Sequence, residues 1–312
     1  MKYLITGGAS FIGVALTKFL TDCGNDVIVV CRRESKTLGN IPKNDRVRTV
    51  LYDGLEAISS ICQFVDSADV FVHLAWAGTS HEGRHDKTLQ DDNIKYSLEA
   101  IDVANSLHCK LFVETGSQAE YGYVNTPFTE DTPCHPDNEY GRAKCEFGKK
   151  ASAKCQEFGM KYIHLRIISI FGETDHAWTL VMSSIRKMLN NEDVQLSSCE
   201  QLWNFVDIND AVKQLFLLCQ YALEKNDFTS DVFHIGSNDT RKLRSFVEEM
   251  YILTGSKSKL LFGKYTPANV VSLNPSMEKT QMATGGFISS RTFGQVVNCI
   301  INNFKNNIYE KN

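Results

Sequence analysis

The stretch Tyr3-Leu4-Ile5-Thr6-Gly7-Gly8-Ala9-Ser10-Phe11-Ile12-Gly13, followed by Val14 to Leu20, decides the fold. Tyr3–Thr6 is a short apolar run closed by a β-branched residue and reads as a buried strand. Glycines then turn the chain tightly, and the residues from Val14 have helical spacing. A strand, a glycine turn and a helix in that order let the backbone approach a pyrophosphate, with amides at the helix N-terminus aimed at its oxygens. Gly7 suits the turn and Gly13 the close packing of helix on strand. The amides of Ser10, Phe11 and Ile12 are expected to face the phosphates. Ser10 stands where a second glycine is common, so it must tolerate that backbone or bond a phosphate itself.

Outward from this unit, strand-like runs at Val27–Cys31, Val47–Leu51, Val70–Leu74, Lys110–Thr115 and Tyr162–Ile168 alternate mostly with helix-length segments. Nearly continuous apolar strands separated by helices imply βαβ units and a parallel sheet covered on both faces. The expected fold is α/β: a Rossmann-like doubly wound parallel sheet over residues 1–170, joined by a returning helix at 205–225. A smaller C-terminal α/β lobe follows over 171–312. It should hold helices near Thr179–Asn190, Ser245–Leu253 and Thr292–Asn303, with strands at Val194–Ser197 and Val232–Ile235. The end, Asn302 to Asn312, reads as a fraying tail.

Composition excludes several classes. Hydrophobic residues make up 43% and charged residues 22% of 312, the balance of a globular protein rather than a disordered or fibrous one. A net charge of −4 gives no overall attraction to nucleic acid or anionic lipid. No apolar run reaches membrane-spanning length, and glycines come too early for a signal peptide, so a cytoplasmic protein is expected. Ten cysteines are scattered from Cys23 to Cys299 without a C-x-x-C pair, which reads as reduced thiols packed as small hydrophobes.

The second strand ends in Val30-Cys31-Arg32-Arg33. A carboxylate at this point would suit the ribose hydroxyls of NAD, whereas arginines suit the 2′-phosphate of NADP. Arg32 and Arg33 therefore favour NADP, with NAD as the alternative. Asp53, after the third strand, is placed to accept from the adenine amino group.

The fifth strand runs into Gly116-Ser117-Gln118-Ala119-Glu120-Tyr121-Gly122, and Tyr140-Gly141-Arg142-Ala143-Lys144 opens the following helix. Tyr140 and Lys144 then share one helix face, a turn apart. Carbonyl reduction needs a proton donor beside the developing alkoxide. A phenol of pKa about 10 is a reluctant one, which a nearby ammonium improves while a serine hydroxyl holds the substrate oxygen. Ser117, Tyr140 and Lys144 fill these roles. Tyr221 and Lys225 repeat the spacing, but no serine-bearing strand end precedes them.

With these motifs, and with His73-Leu74-Ala75, Leu165-Arg166 and Phe171-Gly172, the chain resembles the extended short-chain dehydrogenase/reductase family of nucleotide-sugar epimerases, dehydratases and reductases. The resemblance implies an NAD(P)-binding domain, with Leu74 and Ala75 against the cofactor and Lys144 on its nicotinamide ribose. It also implies a C-terminal lobe for a nucleotide sugar, with Ser117 and Gln118 reaching the substrate, and often a homodimer through two helices per subunit. In the loop after the fourth strand, His81 or His85 is expected to touch substrate. Three positions depart from the family pattern. Gln118-Ala119 replaces the Asp-Glu of the dehydratases, so water elimination is not expected. Trp203-Asn204-Phe205 lacks the arginine that contacts the diphosphate; Trp203 takes its place beside the substrate, and Arg186, Arg241 and Arg291 are candidate replacements. Glu173 replaces a common proline. Trp178, Trp203 and Phe205 are candidates to stack on a base, though each also suits a core. The trio serves both a 4-ketoreductase using NADPH and a 4-epimerase recycling NAD; the two arginines favour a reductase of a nucleotide-linked 4-keto-6-deoxy sugar.

His81-Glu82-Gly83-Arg84-His85 spells the H-E-x-x-H of zinc peptidases. Gly83 weakens any helix there by about 1 kcal/mol relative to alanine. No third ligand is evident, so a polar loop over the site is expected and no metal.

Overall fold

The computed structural model describes residues 1–264 and 271–306. Strands β1 (Lys2–Thr6), β2 (Asp26–Arg32), β3 (Val47–Tyr52), β4 (Val70–His73), β5 (Leu111–Ser117), β6 (Lys161–Ile167) and β7 (Ser230–Ile235) form one parallel sheet. Their spatial order is β7-β6-β5-β4-β1-β2-β3. The order reverses between β1 and β4, and at such a switch point the carboxyl ends of the strands open a crevice.

Alternation along β1 shows why the sheet is doubly covered. Tyr3 and Ile5 enter a core with α1 (Phe11–Asp22) and α5 (Ile208–Glu224), whereas Leu4 enters a core with α2 (Lys87–Ser106) and α3 (Glu139–Glu157). All three residues are fully buried, and each such side chain contributes about 1.5–3 kcal/mol of hydrophobic stabilisation. A separate core joins α4 (Leu180–Leu189), α6 (Leu243–Thr254) and α7 (Phe293–Lys305) around Phe171, Phe205, Phe246 and Phe293. All ten thiols are free and five are buried.

One placement differs from expectation. The strand assigned to the smaller lobe, Val232–Ile235, is β7 of the central sheet, paired with β6 from Ser230↔Tyr162 to Ile235↔Ile167. The cause is α5, which packs back on the sheet and serves as the crossover helix between two adjacent parallel strands. Residues 171–207 are thus an insertion in a βαβ unit. The expected strand Val194–Ser197 is a two-residue pairing of Val194–Gln195 with Leu260–Leu261. Of the expected tail, residues up to Lys305 belong to α7 and 307–312 lie outside the described residues.

Candidate active site

At the switch point, β1 passes into α1 through a bare backbone cradle. Gly7 has φ +66°, and a Cβ there would sit 2.8 Å from the Ala75 nitrogen; one at Gly13 would sit 2.6 Å from the Gly7 carbonyl oxygen. Only glycine fits both. Ser10, extended at φ −74° and ψ 168°, caps α1 by accepting from the Gly13 amide at 3.1 Å. A cap leaves the other first-turn amides, with the positive end of the helix dipole, free for an anion. That resolves the oddity of Ser10: its backbone is unstrained and its hydroxyl serves the helix. Phe11 and Ile12 are half-buried in this first turn. The tips of β1 and β4 are laced by His73, whose ring nitrogens meet Thr6 Oγ1 at 2.8 Å and Ser97 Oγ at 2.9 Å. Burial holds its pKa down to about 3, so this histidine is neutral. Leu74 and Ala75 follow it into the crevice, half-buried. The cradle, the cap and the aligned amides fit a dinucleotide pyrophosphate.

At the β2 end Arg32 and Arg33 are both exposed. Asp53, expected to accept from the adenine amino group, meets Arg33 Nε at 2.9 Å and orients that guanidinium. At an exposed ion pair the attraction itself is worth little.

Across the crevice, Ser117 ends β5 and caps the turn Gln118–Glu120, its Oγ accepting from the Ala119 amide at 3.1 Å. Gln118 is half-buried beside it. Asn138 caps α3 by accepting from Gly141 at 2.9 Å and so fixes the turn that presents Tyr140. Ser117 stands beside the Tyr140 phenol and works against the rise in pKa that burial imposes on it. One turn on, Lys144 donates to the Thr115 carbonyl at 2.6 Å, lies 3.7 Å from Glu114 Oε2 and stands 3.6 Å from the centre of the Trp76 ring. The same indole meets Tyr140 edge-on at 6.4 Å and donates to Gln90 Oε1 at 2.8 Å. The structure thus brings Ser117, Tyr140 and Lys144 together. By contrast, Tyr221 and Lys225 bond each other at the far end of α5, with Lys225 exposed.

The electrostatics differ from expectation in one respect. Burial raises the Tyr140 phenol above its ordinary value, and the principal charge opposing the rise is Arg84, whose guanidinium lies 4.9 Å over the ring. Lys144 is engaged by the Thr115 carbonyl, Glu114 and Trp76 instead; burial lowers its own pKa, opposed by Glu114 and Glu120. A raised phenol stays protonated through neutrality. If Tyr140 is the donor, kcat for reduction should therefore be flat through neutral pH and decline only as pH climbs through that raised value; a pH–rate profile checks this.

Arg84 arrives on the H-E-x-x-H segment, which forms a 3₁₀ turn at Gly83–His85 rather than a helix. His81 is exposed and packs on His85 at 5.0 Å between ring centres, while His85 Nδ1 lies 2.9 Å from the His81 carbonyl oxygen. The side chain of this loop that reaches Tyr140 is Arg84. Among the described residues no cluster of three or more metal-ligating side chains occurs. Trp76 and Glu114, both beside Lys144, lie outside the residues expected at the site. For Glu114 a signal exists, a carboxylate inside an otherwise apolar strand; Trp76 directly follows the quoted His73-Leu74-Ala75.

The remaining substrate candidates separate. Phe205 is core; Trp203, half-buried, donates to Ser169 Oγ at 3.2 Å; Trp178 is exposed and stacks on His176. Asn204 is a fully buried stitch that donates to the Ser237 carbonyl at 2.7 Å and accepts its amide at 2.9 Å. Arg291 is held by Asp207 at 2.6 Å and by Glu173 at 3.0 Å, so the glutamate in place of proline has a partner. Arg241 is paired with Asp239 and Glu249. Arg186 is exposed on α4.

A glycine-lined cradle facing a Ser/Tyr/Lys trio across a switch-point crevice is the arrangement of a Rossmann-type NAD(P)-dependent enzyme. The chain belongs to the NAD dependent epimerase/dehydratase family, whose model matches residues 3–236. It is 24% identical over 272 residues to the CDP-abequose synthase of Salmonella muenchen, covering 84% of each chain. It is 29% identical over 261 residues to the dTDP-6-deoxy-L-talose 4-dehydrogenase (NAD(+)) of Aggregatibacter actinomycetemcomitans, covering 80% of this chain and 89% of that one. Its fold matches the UDP-glucuronic acid 4-epimerase of Bacillus cereus, solved with UDP-glucuronic acid and NAD, at a TM-score of 0.85 and 19% identity over 98% and 99% of the two chains. No helix among the described residues is long and apolar enough to cross a membrane.

Proposed function

We propose that this chain is an NADPH-dependent reductase acting at C4 of a nucleotide-linked 4-keto-6-deoxy sugar. The observation that carries the choice is the β2 terminus, where exposed Arg32 and Arg33 stand in place of a ribose-binding carboxylate. Net reduction draws on the NADPH pool, whereas an epimerase regenerates its own NAD and gains nothing from a 2′-phosphate site. Bound NADPH supplies the hydride. Ser117 orients the C4 carbonyl, and Tyr140, protonated because it is buried, delivers the proton to the oxygen as negative charge develops there. Lys144 holds the nicotinamide ribose from α3, with Trp76 and the Thr115 carbonyl fixing its ammonium. Gln118, Trp203 and His81 flank the sugar nucleotide in this reading. A homodimer through two helices per subunit is inferred from the family resemblance.

The test is nicotinamide absorbance during incubation with NADPH and a panel of nucleotide-linked 4-keto-6-deoxy sugars, with product analysis. Consumption of NADPH with one substrate supports the reductase and names its nucleotide. Constant NADPH, with interconversion of C4 epimers of intact nucleotide sugars, replaces it by the 4-epimerase. The double substitution Arg32→Ala/Arg33→Ala is expected to raise KM for NADPH roughly 10²–10⁴-fold, since each of the two charge-assisted bonds to the 2′-phosphate is worth about 1.5–3 kcal/mol. KM for NADH should change little, and steady-state kinetics with both cofactors measures the split.

A further inference from the structure

We propose that His164 is a positioning residue, a buried cationic strut that fixes Ser117 and Lys144 relative to each other. The inference rests on the reading of those two residues as parts of the active site. His164 lies on β6, next to β5, and is almost fully buried. Its Nδ1 is 2.6 Å from Glu114 Oε1, and its Nε2 is 2.9 Å from both oxygens of Glu120. A carboxylate facing each ring nitrogen favours a proton on both, which makes the imidazole a cation. The two glutamates outweigh burial and hold the imidazole's pKa up at about 9.

Each carboxylate reaches onward to one member of the trio. Glu114 Oε2 has no hydrogen bond among the described residues and faces the Lys144 ammonium at 3.7 Å. Glu120 Oε1 accepts the Ser117 amide at 2.8 Å, and Oε2 accepts Arg166 Nε at 2.8 Å. A continuous line therefore runs from Lys144 through Glu114, His164 and Glu120 to Ser117, beneath the substrate crevice. Tyr162 closes its side, with its hydroxyl 3.2 Å from His164 Nδ1.

Two glycines from different elements make room for the ring. A Cβ at Gly148 of α3 would sit 2.8 Å from His164 Cε1, and one at Gly116 of β5 would overlap both Glu120 Oε1 and His164 Nε2. An apolar side chain would have filled this space without two buried carboxylates. The carboxylates aim at the catalytic groups, and the imidazolium holds them apart at a set distance while balancing their charge.

The experiment compares His164→Gln/Glu114→Gln, which removes one positive and one negative charge together, with wild type and Lys144→Met. Two readouts are taken with whichever of NADH and NADPH binds: nicotinamide fluorescence of the bound cofactor, and kcat and KM on the keto-sugar panel. The double variant is expected to melt close to wild type, to lose most of the fluorescence enhancement as Lys144→Met does, and to show kcat 10–100-fold lower with KM for the sugar within threefold. Wild-type fluorescence, or kcat within twofold of wild type, would overturn the proposal. If wild type reduces no sugar on the panel, the reductase reading fails while fluorescence still decides the role of His164. Should the double variant not fold, Glu114→Gln alone carries the same readouts, because it leaves the His164–Glu120 contact in place.

Discussion

Tyr140→Phe is expected to lower kcat about a thousandfold while leaving cofactor affinity within about threefold, because a positioned general acid contributes roughly 10²–10⁴ in rate. The geometry makes this a clean deletion. The ring is almost fully buried between the edge of Trp76 and the guanidinium of Arg84, contacts that a phenylalanine retains. Only the hydroxyl facing Ser117 disappears, and the ring packing stays. Lys144 keeps its own three partners, none of which is Tyr140, so the cofactor side of the site should be undisturbed. Turnover on the identified substrate and fluorescence titration of NADPH provide the two numbers. Turnover within tenfold of wild type would remove Tyr140 from the proton-donor role.

The largest loss of stability is expected from Gly122→Ala. Gly122 has φ +64° and is bridged to His135, and a methyl group there would run into the His135 carbonyl oxygen. The left-handed conformation costs a non-glycine residue about 1–2 kcal/mol, and displacing a packed backbone adds about 1–3 kcal/mol. A total of about 3 kcal/mol should lower the melting temperature by on the order of 10 °C, at about 2–4 °C per kcal/mol for a chain of this size class. The bridge spans the loop between the Ser117 turn and the Asn138 cap of α3, so the variant should also lose activity below its melting point as Tyr140 shifts relative to Ser117. Differential scanning calorimetry measures the first effect and kcat at low temperature the second. An unchanged melting temperature would mean that the loop moves aside at little cost.

Tyr140 stands out in the chain alone whereas the clash at Gly122 does not, and the reasons are physical. β1 to β6 declare themselves because strands buried on both faces have apolar residues at nearly every position. The cradle and the trio do so because a close backbone approach demands glycine and one helical turn demands a spacing of four. What escaped depends on long-range geometry. The membership of β7 in the central sheet follows from α5 returning across residues 171–207, which no local pattern encodes. Arg84 stands over Tyr140 because its loop folds as a 3₁₀ turn, whereas the pattern around it drew attention to His81 and His85. The phenol was expected to be lowered by Lys144; the structure directs that ammonium to the Thr115 carbonyl and Glu114, and burial raises the phenol instead.

The late position of β7 has a consequence for how the chain must be made. A ribosome that has released residues 1–170 has already delivered the glycine cradle, Ser117, Tyr140 and Lys144, yet β6 still presents a bare edge from Tyr162 to Ile167. An exposed strand of this kind is a template for mispairing with other nascent chains. The enzyme cannot finish its cofactor-binding sheet until Ile235 has emerged, well after the residues of the trio. Fragments ending before that point are expected to aggregate or to require a chaperone although every motif residue is present, and fusions or truncations should keep residues 1–235 as one indivisible piece.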